Sequence, residues 1–225
     1  MTLATELTKE KIKEIVGKRI AKEFKRGDIV TLGIGLPTEA ANYVSDDMHI
    51  MLQSENGFLG VSKNATEETK DERIINAGGI FVEAREGACF YDSQMAFTMM
   101  RGGHIDITVL GALQVDEEGS IANWLIPNKF APGMGGAMDL IVGSKKVIVA
   151  MEHLSKGQIK IVKKCDLPLT AYKQVDMIIT ERCVFEVQEQ GLLMTEINPI
   201  FTVDDIKNTV TANFTISDNL QYMEI

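Results

Sequence analysis

One stretch near the amino terminus limits most strongly how this chain can fold. An apolar segment, a glycine-rich turn, a helical segment and a second apolar segment follow one another. Ile29–Leu32 predicts a buried strand, residues 33–37 predict a turn into a helix, and residues 50–53 predict a second strand. Pro37 falls near the first position of that helix, where the missing N–H costs little. Because a strand–helix–strand unit implies parallel strands, we expect an α/β fold with a single open, mostly parallel sheet flanked by helices.

The remaining sequence adds elements to the same sheet. Apolar residues at three-to-four spacing predict helices over 8–24, with Thr8 as N-cap, and over 92–101. A capping pattern at Thr202 opens a helix over 202–210 that we expect to close the fold. Because the 225 residues show neither an internal repeat nor a low-complexity linker, they predict one domain, 1–225. Apolar segments predict further strands over 105–110, 147–151, 177–180 and 184–187.

Composition narrows the classes of function. A net charge of −9 disfavours nucleic acid as a partner, because little positive charge is present to neutralise a phosphate backbone. No apolar run of membrane-spanning length occurs, and the first eleven residues do not form a signal peptide, so we expect no membrane association. Three separated cysteines without a Cys-x-x-Cys pair favour reduced thiols and a cytoplasmic location. The three histidines are equally scattered, so we expect no metal site.

The tetrad Ser54-Glu55-Asn56-Gly57 directly follows the second predicted strand. A carboxylate at this position lies at the rim beyond the carboxyl ends of the strands, where open α/β sheets bind ligands. The Asn-Gly step permits a sharp turn that leaves Glu55 projecting. Taken alone, Glu55 is equally consistent with an ordinary acid in solvent. If the strand alternates regularly, only one of Gln53 and Ser54 lines a pocket beside it.

A second candidate element is the glycine-rich run over 131–139. Three glycines in four positions, Gly133, Gly135 and Gly136, let the backbone approach a ligand and aim its amides in one direction. Such a run can form an anion nest or an oxyanion hole. In isolation it is also consistent with a plain flexible loop, and it does not fit the G-x-G-x-x-G dinucleotide pattern.

Together these stretches resemble the β subunit of the family I coenzyme A transferases, of the acetate/butyrate–acetoacetate type. The resemblance extends in order over nearly the whole chain. It rests on the Ser-Glu-Asn-Gly tetrad, on the glycine run and on the blocks at 33–37, 101–106, 111–115, 122–124, 151–153 and 165–170.

The resemblance implies ping-pong transfer of coenzyme A between small carboxylic acids of the acetate, butyrate and acetoacetate type, through a thioester on Glu55. It implies that the Gly136 amide is the oxyanion donor. Coenzyme A would be a co-substrate, and no cofactor would be permanently bound. A homologous α subunit would complete the enzyme, usually as α2β2. The resemblance places the cofactor-binding contacts at Gly135, Ala137, Met138, Asn56 and Gly57, although the last two fit a turn-shaping role better.

Two features leave alternatives open. The chain has Asn128 and Phe130 where the family usually has Gly and Met; Asn tolerates a left-handed backbone, whereas Phe130 could reshape the acyl pocket. Lys145 and Lys146 are either solvated or contacts for the phosphates of coenzyme A. A CoA-ester hydrolase, in which water captures the glutamyl intermediate, and a sugar-phosphate-binding or isomerase-like module are the competing functions.

Overall fold

The computed structural model describes residues 7–129, 131 and 133–225. The helical segments confirm the predicted amino-terminal helix, which begins after the Thr8 cap as expected. No helix in the described part of the chain is long and apolar enough to cross a membrane. The described residues form four α-helices, α1 (Lys9–Ala21), α2 (Ser93–Arg101), α3 (Ala137–Gly143) and α4 (Val203–Lys207), and two 3-10 helices (Leu36–Tyr43 and Asp46–Met48).

The strands form one large sheet and two small ones. In chain order they are β1 (Ile29–Leu32), β2 (Met51–Ser54), β3 (Phe58–Asn64), β4 (Val82–Phe90), β5 (Ile107–Leu110), β6 (Gln114–Asp116), β7 (Ile121–Ala122), β8 (Lys146–Ala150), β9 (Leu154–Ser155), β10 (Gln158–Ile159), β11 (Ile161–Val162), β12 (Met177–Ile179), β13 (Cys183–Gln188), β14 (Gly191–Ile197) and β15 (Phe214–Tyr222). The large sheet has the order β15-β14-β13-β12-β8-β5-β1-β2-β3-β4, with β11-β6-β7 and β10-β9 separate.

The centre of the large sheet is parallel. β2, β1, β5, β8 and β12 run in the same direction, and β3, β4 and β13 extend the sheet by antiparallel pairing. The predicted α/β class, with an open and mostly parallel sheet flanked by helices, is confirmed. Because the central strands are parallel, the carboxyl ends of β1, β2 and β5 meet at one edge of the sheet.

Both faces of the central strands are buried. Along β8, Val147 and Val149 belong to one apolar core and Ile148 and Ala150 to the other, in the alternation that a strand imposes. Helix α1 covers the second core with Ile15, Val16 and Ile20, which are fully buried. A sheet buried on both sides is a rigid platform for residues at its edge.

Some expectations need correction. The segment after β1 forms a 3-10 helix (Leu36–Tyr43), not an α-helix, although it begins near Pro37 as predicted. Helix α4 carries the expected capping box between Thr202 and Asp205, yet it is only five residues long. It does not close the fold either, because β15 follows it and pairs with β14.

Candidate active site

Glu55 lies in the tight turn that joins β2 to β3. The Gly57 N–H donates to the Ser54 carbonyl oxygen at 3.1 Å, and Gly57 has a φ of +99°. A Cβ atom on Gly57 would lie 1.9 Å from the Tyr91 carbonyl oxygen, so no other residue fits here. Asn56 donates from Nδ2 to the Ile75 carbonyl oxygen at 2.7 Å. Both residues after Glu55 therefore hold the turn, and their contact with a cofactor stays a prediction.

The glycine run meets this turn across 81 residues of sequence. The Gly136 N–H points to Glu55 Oε1 at 3.4 Å, a long hydrogen bond. A Cβ atom on Gly136 would lie 2.5 Å from Glu55 Oε2 and 3.1 Å from its Cδ. Gly135, with a φ of +55°, also faces the carboxylate, since its Cβ would be 3.4 Å from Oε1. The absence of side chains at both positions thus lets the backbone reach the carboxylate.

Close packing of α2 on α3 fixes the position of Gly136, which is the N-cap of α3. A Cβ atom on Gly143 would lie 2.0 Å from the Met100 carbonyl oxygen, so the two helices touch through backbone. Arg101 Nε donates to Asp139 Oδ1 at 2.6 Å and adds a second link. Because the helices cannot slide against each other without a clash, the amide at the start of α3 is held toward Glu55.

A cavity of about 490 Å³ opens beside Glu55, at the edge where β1, β2 and β5 end. Of the residues predicted for the site, Glu55 and Ala137 line this cavity, whereas Gly135 and Gly136 contact Glu55 itself. Met138 is 48% exposed and is not among the described lining residues. Further lining residues that the sequence did not single out include Thr31, Thr38, Asn42, Lys63, Asn64 and Asn76.

Gln53 and Ser54 both line the cavity, so the expectation that only one of them would do so is wrong. The pairing of β2 with β3 shifts register between Leu52 and Gln53, which disturbs the regular alternation of side chains. Gln53 Oε1 accepts from the Thr31 hydroxyl at 2.7 Å, and Ser54 Oγ accepts from the Ala77 N–H at 2.8 Å. These contacts fix the end of β2 on both sides of the cavity.

Two buried polar atoms near this strand have no hydrogen-bond partner among the described residues: Gln53 Nε2 and the Tyr91 hydroxyl. Burial raises the pKa of Tyr91 above its usual value, so this phenol stays neutral at physiological pH. It can offer a proton donor but no charge to the neighbourhood of the Glu55 turn.

The lysines considered for phosphate binding are engaged elsewhere. Lys145 Nζ lies 2.6 Å from Asp106, and Lys146 Nζ lies 2.5 Å from Glu23. Within the cavity wall, Glu39 is paired with Lys13 at 2.8 Å. Glu55 has no such ion pair among the described residues, which leaves its carboxylate available for chemistry.

Other nucleophile and metal chemistry lacks the required residues. Burial raises the pKa of the Cys165 thiol to about 12, and the pKa of the fully buried Cys183 thiol is raised as well. Neither thiol forms readily as thiolate at neutral pH. In the part of the chain that the structure describes, no group of three or more His, Cys, Asp or Glu side chains could hold a metal ion.

The departures from the family pattern have different outcomes. Asn128 adopts the left-handed conformation with a φ of +61°, as its place in the turn predicts. Phe130 lies outside the described residues, and so its influence on the acyl pocket stays a prediction.

Known proteins resemble the chain over nearly its whole length. Residues 13–209 match the family described as coenzyme A transferase. The β chain of the acetate CoA-transferase of Haemophilus influenzae is 48% identical over 95% of this chain and 96% of its own. One subunit of the probable succinyl-CoA:3-ketoacid coenzyme A transferase of Bacillus subtilis is 44% identical over 94% and 98%. The crystal structure of the acyl-CoA transferase YdiF of Escherichia coli O157:H7 superposes with a TM-score of 0.74 at 23% identity, over 94% of this chain and 43% of that longer one.

Proposed function

The chain belongs to the coenzyme A transferase family, and we propose that it is the glutamate-bearing subunit of an enzyme that moves coenzyme A between short-chain carboxylic acids. The observation that carries this proposal is the meeting of Glu55 with the Gly136 amide at the wall of one cavity. Family membership also favours CoA chemistry over a sugar-phosphate-binding or isomerase-like module.

A carboxylate nucleophile suits transfer because it keeps the acyl group activated. Glu55 would attack the thioester carbonyl of an acyl-CoA, which forms an acyl–glutamyl anhydride and releases the CoA thiolate. The thiolate would then attack the glutamyl carbonyl, which forms a glutamyl-CoA thioester and releases the first acid as its carboxylate. A second carboxylate would reverse both steps. Every bond that breaks leaves a stable anion, so no step in the cycle requires a general acid.

The Gly136 amide addresses the weak point of this scheme. A carboxylate is a poor nucleophile toward a thioester, and each attack places negative charge on a carbonyl oxygen. A backbone donor aimed at such an oxygen typically contributes about 3–4 kcal/mol to the transition state. The Gly136 N–H already points to Glu55 Oε1, the atom that becomes a carbonyl oxygen in the thioester. Met134, Ala137 and Leu140 add apolar surface that limits access of water to the intermediate.

The names of the relatives suggest the class of acids. One relative is named for acetate and another for succinyl-CoA and 3-ketoacids, so we propose acids of the acetate, butyrate and acetoacetate type. The designation of both relatives as a subunit also supports a partner chain. We expect a homologous α subunit, an α2β2 assembly, and little or no activity of this chain alone.

Chemical trapping tests the proposal. The chain, purified with its partner subunit, is incubated with acyl-CoA and then with hydroxylamine or borohydride, and peptides are analysed by mass spectrometry. We expect modification at Glu55 and none at Glu39, which lines the same cavity but is paired with Lys13. Glu55→Gln should abolish both labelling and turnover while the thermal stability is retained. Unlabelled Glu55, or turnover in the variant, would reject the covalent role.

The same experiment separates transfer from hydrolysis. With labelled acyl-CoA and an excess of acceptor acid, a transferase passes the label to new acyl-CoA with little loss to free CoA. A CoA-ester hydrolase on this fold would label Glu55 equally well but would release CoA in proportion to turnover. The ratio of the two products therefore decides between these functions.

A further inference from the structure

A second cavity adjoins the first along the β2–β3 hairpin. It measures about 460 Å³ and shares part of its wall with the cavity that contains Glu55. The shared residues come from the Leu36–Tyr43 helix and from both strands of the hairpin: Ala41, Leu52, Val61, Ser62 and Lys63. A ligand lying along the hairpin could therefore occupy both cavities at once.

Basic side chains surround the second cavity, although the chain as a whole carries a charge of −9. His49, Lys63 and Arg85 line it, together with the acids Asp46 and Glu86. Arg85 is anchored, since its guanidinium donates to the Ile50 carbonyl oxygen at 2.5 Å. Basic groups in a recess that continues from a reaction site are suited to an anionic end of the substrate.

Lys63 is the basic residue that borders both cavities, and its ammonium group is available to a ligand. The Lys63 side chain is 70% exposed, and its Nζ lies 3.6 Å from Glu83, which is longer than a direct hydrogen bond. The other oxygen of Glu83 accepts from the Thr69 hydroxyl at 2.6 Å, which holds that carboxylate in place. The ammonium N–H groups can therefore turn toward an anion without breaking a tight ion pair.

The spacing along the hairpin matches the length of the coenzyme A arm. The turn that contains Glu55 leads into β3 at Phe58, and the strand advances to Lys63 by about 15 Å, at roughly 3.3 Å per residue with one irregular step. In coenzyme A about thirteen bonds join the thiol sulfur to the nearest phosphorus, which at about 1.2 Å per bond in an extended chain is again about 15 Å.

We propose that Lys63, together with Arg85 and His49, receives the phosphate groups at the nucleotide end of acyl-CoA while the thioester reaches Glu55. This inference rests on the proposed function, because it takes acyl-CoA as the ligand. Asn42, Ser62 and Asn64, which line the first cavity, provide polar groups along the path of the amide-containing arm between the two ends. Lys63 is thus a residue that determines specificity for the full cofactor over shorter thioesters.

Binding measurements on the full assembly test this assignment without requiring turnover. The dissociation constants of coenzyme A and of pantetheine, which has the same thiol arm but no phosphate, are measured by titration calorimetry. Lys63→Ala should weaken coenzyme A binding about three- to fivefold, and Lys63→Glu by about tenfold or more, with pantetheine binding unchanged. Lys70→Ala is the matched control, because Lys70 lies over the Phe81 ring and not among the described cavity-lining residues.

Two results would overturn the assignment: an unchanged affinity of Lys63→Glu for coenzyme A, or an equal loss of affinity for coenzyme A and pantetheine. The outcome is separable from that of the proposed function. If Glu55 is never labelled but coenzyme A binding still depends on Lys63, the phosphate site stands and the thioester mechanism fails. If Glu55 is labelled and Lys63 has no effect, the reverse holds.

Discussion

Replacement of Gly136 by alanine tests the central contact of the site. An alanine Cβ would lie 2.5 Å from Glu55 Oε2, whereas ordinary contact begins near 3.4 Å, so the carboxylate must retreat by about 0.9 Å. The backbone of Gly136, with φ −84° and ψ 5°, is open to alanine, and the obstructing atoms are the ends of the Glu55 and Phe97 side chains. We therefore expect the fold to survive and the site to be disturbed.

The magnitude follows from the two effects of this displacement. The amide of Gly136 is already 3.4 Å from Glu55 Oε1, so a retreat of the carboxylate removes the contact. Loss of one oxyanion donor, or misplacement of a nucleophile by about 1 Å, costs on the order of a hundredfold in rate. Because the contact acts mainly in the transition state, kcat should fall about a hundredfold while KM for acyl-CoA changes by less than about threefold. A β-branched residue at position 136 should have a larger effect in the same direction.

Steady-state kinetics of the full assembly, with both substrates varied, measure this outcome beside thermal unfolding. Gly111→Ala is a matched control, because its new Cβ would approach only the Ala150 carbonyl oxygen, at 4.0 Å. A Gly136→Ala enzyme with kcat within about threefold of the wild type would refute the role of this amide. A larger change in KM than in kcat would instead indicate a role in substrate binding.

Two further predictions concern stability. Arg19, 7% exposed and bonded to Glu23 and Glu196 at 2.6–2.8 Å, should on replacement by Met lower the free energy of unfolding by about 3–5 kcal/mol, with partial recovery in Arg19→Met/Glu196→Met; a urea titration showing less than about 1 kcal/mol for the single variant would contradict this. Burial lowers the pKa of His153 to about 3 from 6.5, so the unfolded chain takes up the proton first as pH falls below 6.5, and the unfolding free energy should drop by about 2 kcal/mol more between pH 7.5 and pH 5 in the wild type than in His153→Gln; equal drops would argue against a neutral, buried imidazole.

Elements with a strong local signal could be predicted from the sequence. The strand Ile29–Leu32 is apolar and buried, and its predicted bounds match the structure. The Asn56-Gly57 turn was predictable because the required backbone conformation favours those residues. In both cases the determining interactions lie within a few residues of each other.

The edge strands were not predicted, for a physical reason. β4 and β15 are the two ends of the large sheet, and most of their residues are partly or fully exposed. With little apolar surface to bury, neither strand has the apolar alternation that marks a half-buried strand. Their pairing depends on the edges offered by β3 and β14, which a local reading of the sequence does not contain.

The site itself combines both kinds of information. Glu55 and the glycine run each have a local signature, but their contact spans 81 residues and was expected only through the family resemblance. The structure gives its physical cause, since the backbone contact of Gly143 with Met100 holds α3 in place. Lys63 had no sequence signal at all, because a lysine at the end of an exposed strand is ordinary until the neighbouring cavities are known.

One hairpin carries both ends of the proposed reaction. Glu55 stands in the turn between β2 and β3, and Lys63 stands near the far end of β3. The distance between them is therefore set by strand register, including the shifts beside Gln53 and Leu59, and not by the positions of separate domains. A hairpin fastened to the parallel centre of the sheet through β1 keeps that distance fixed. Binding energy gained at the nucleotide end can then be used to hold the thioester against Glu55, which is what a weak carboxylate nucleophile requires.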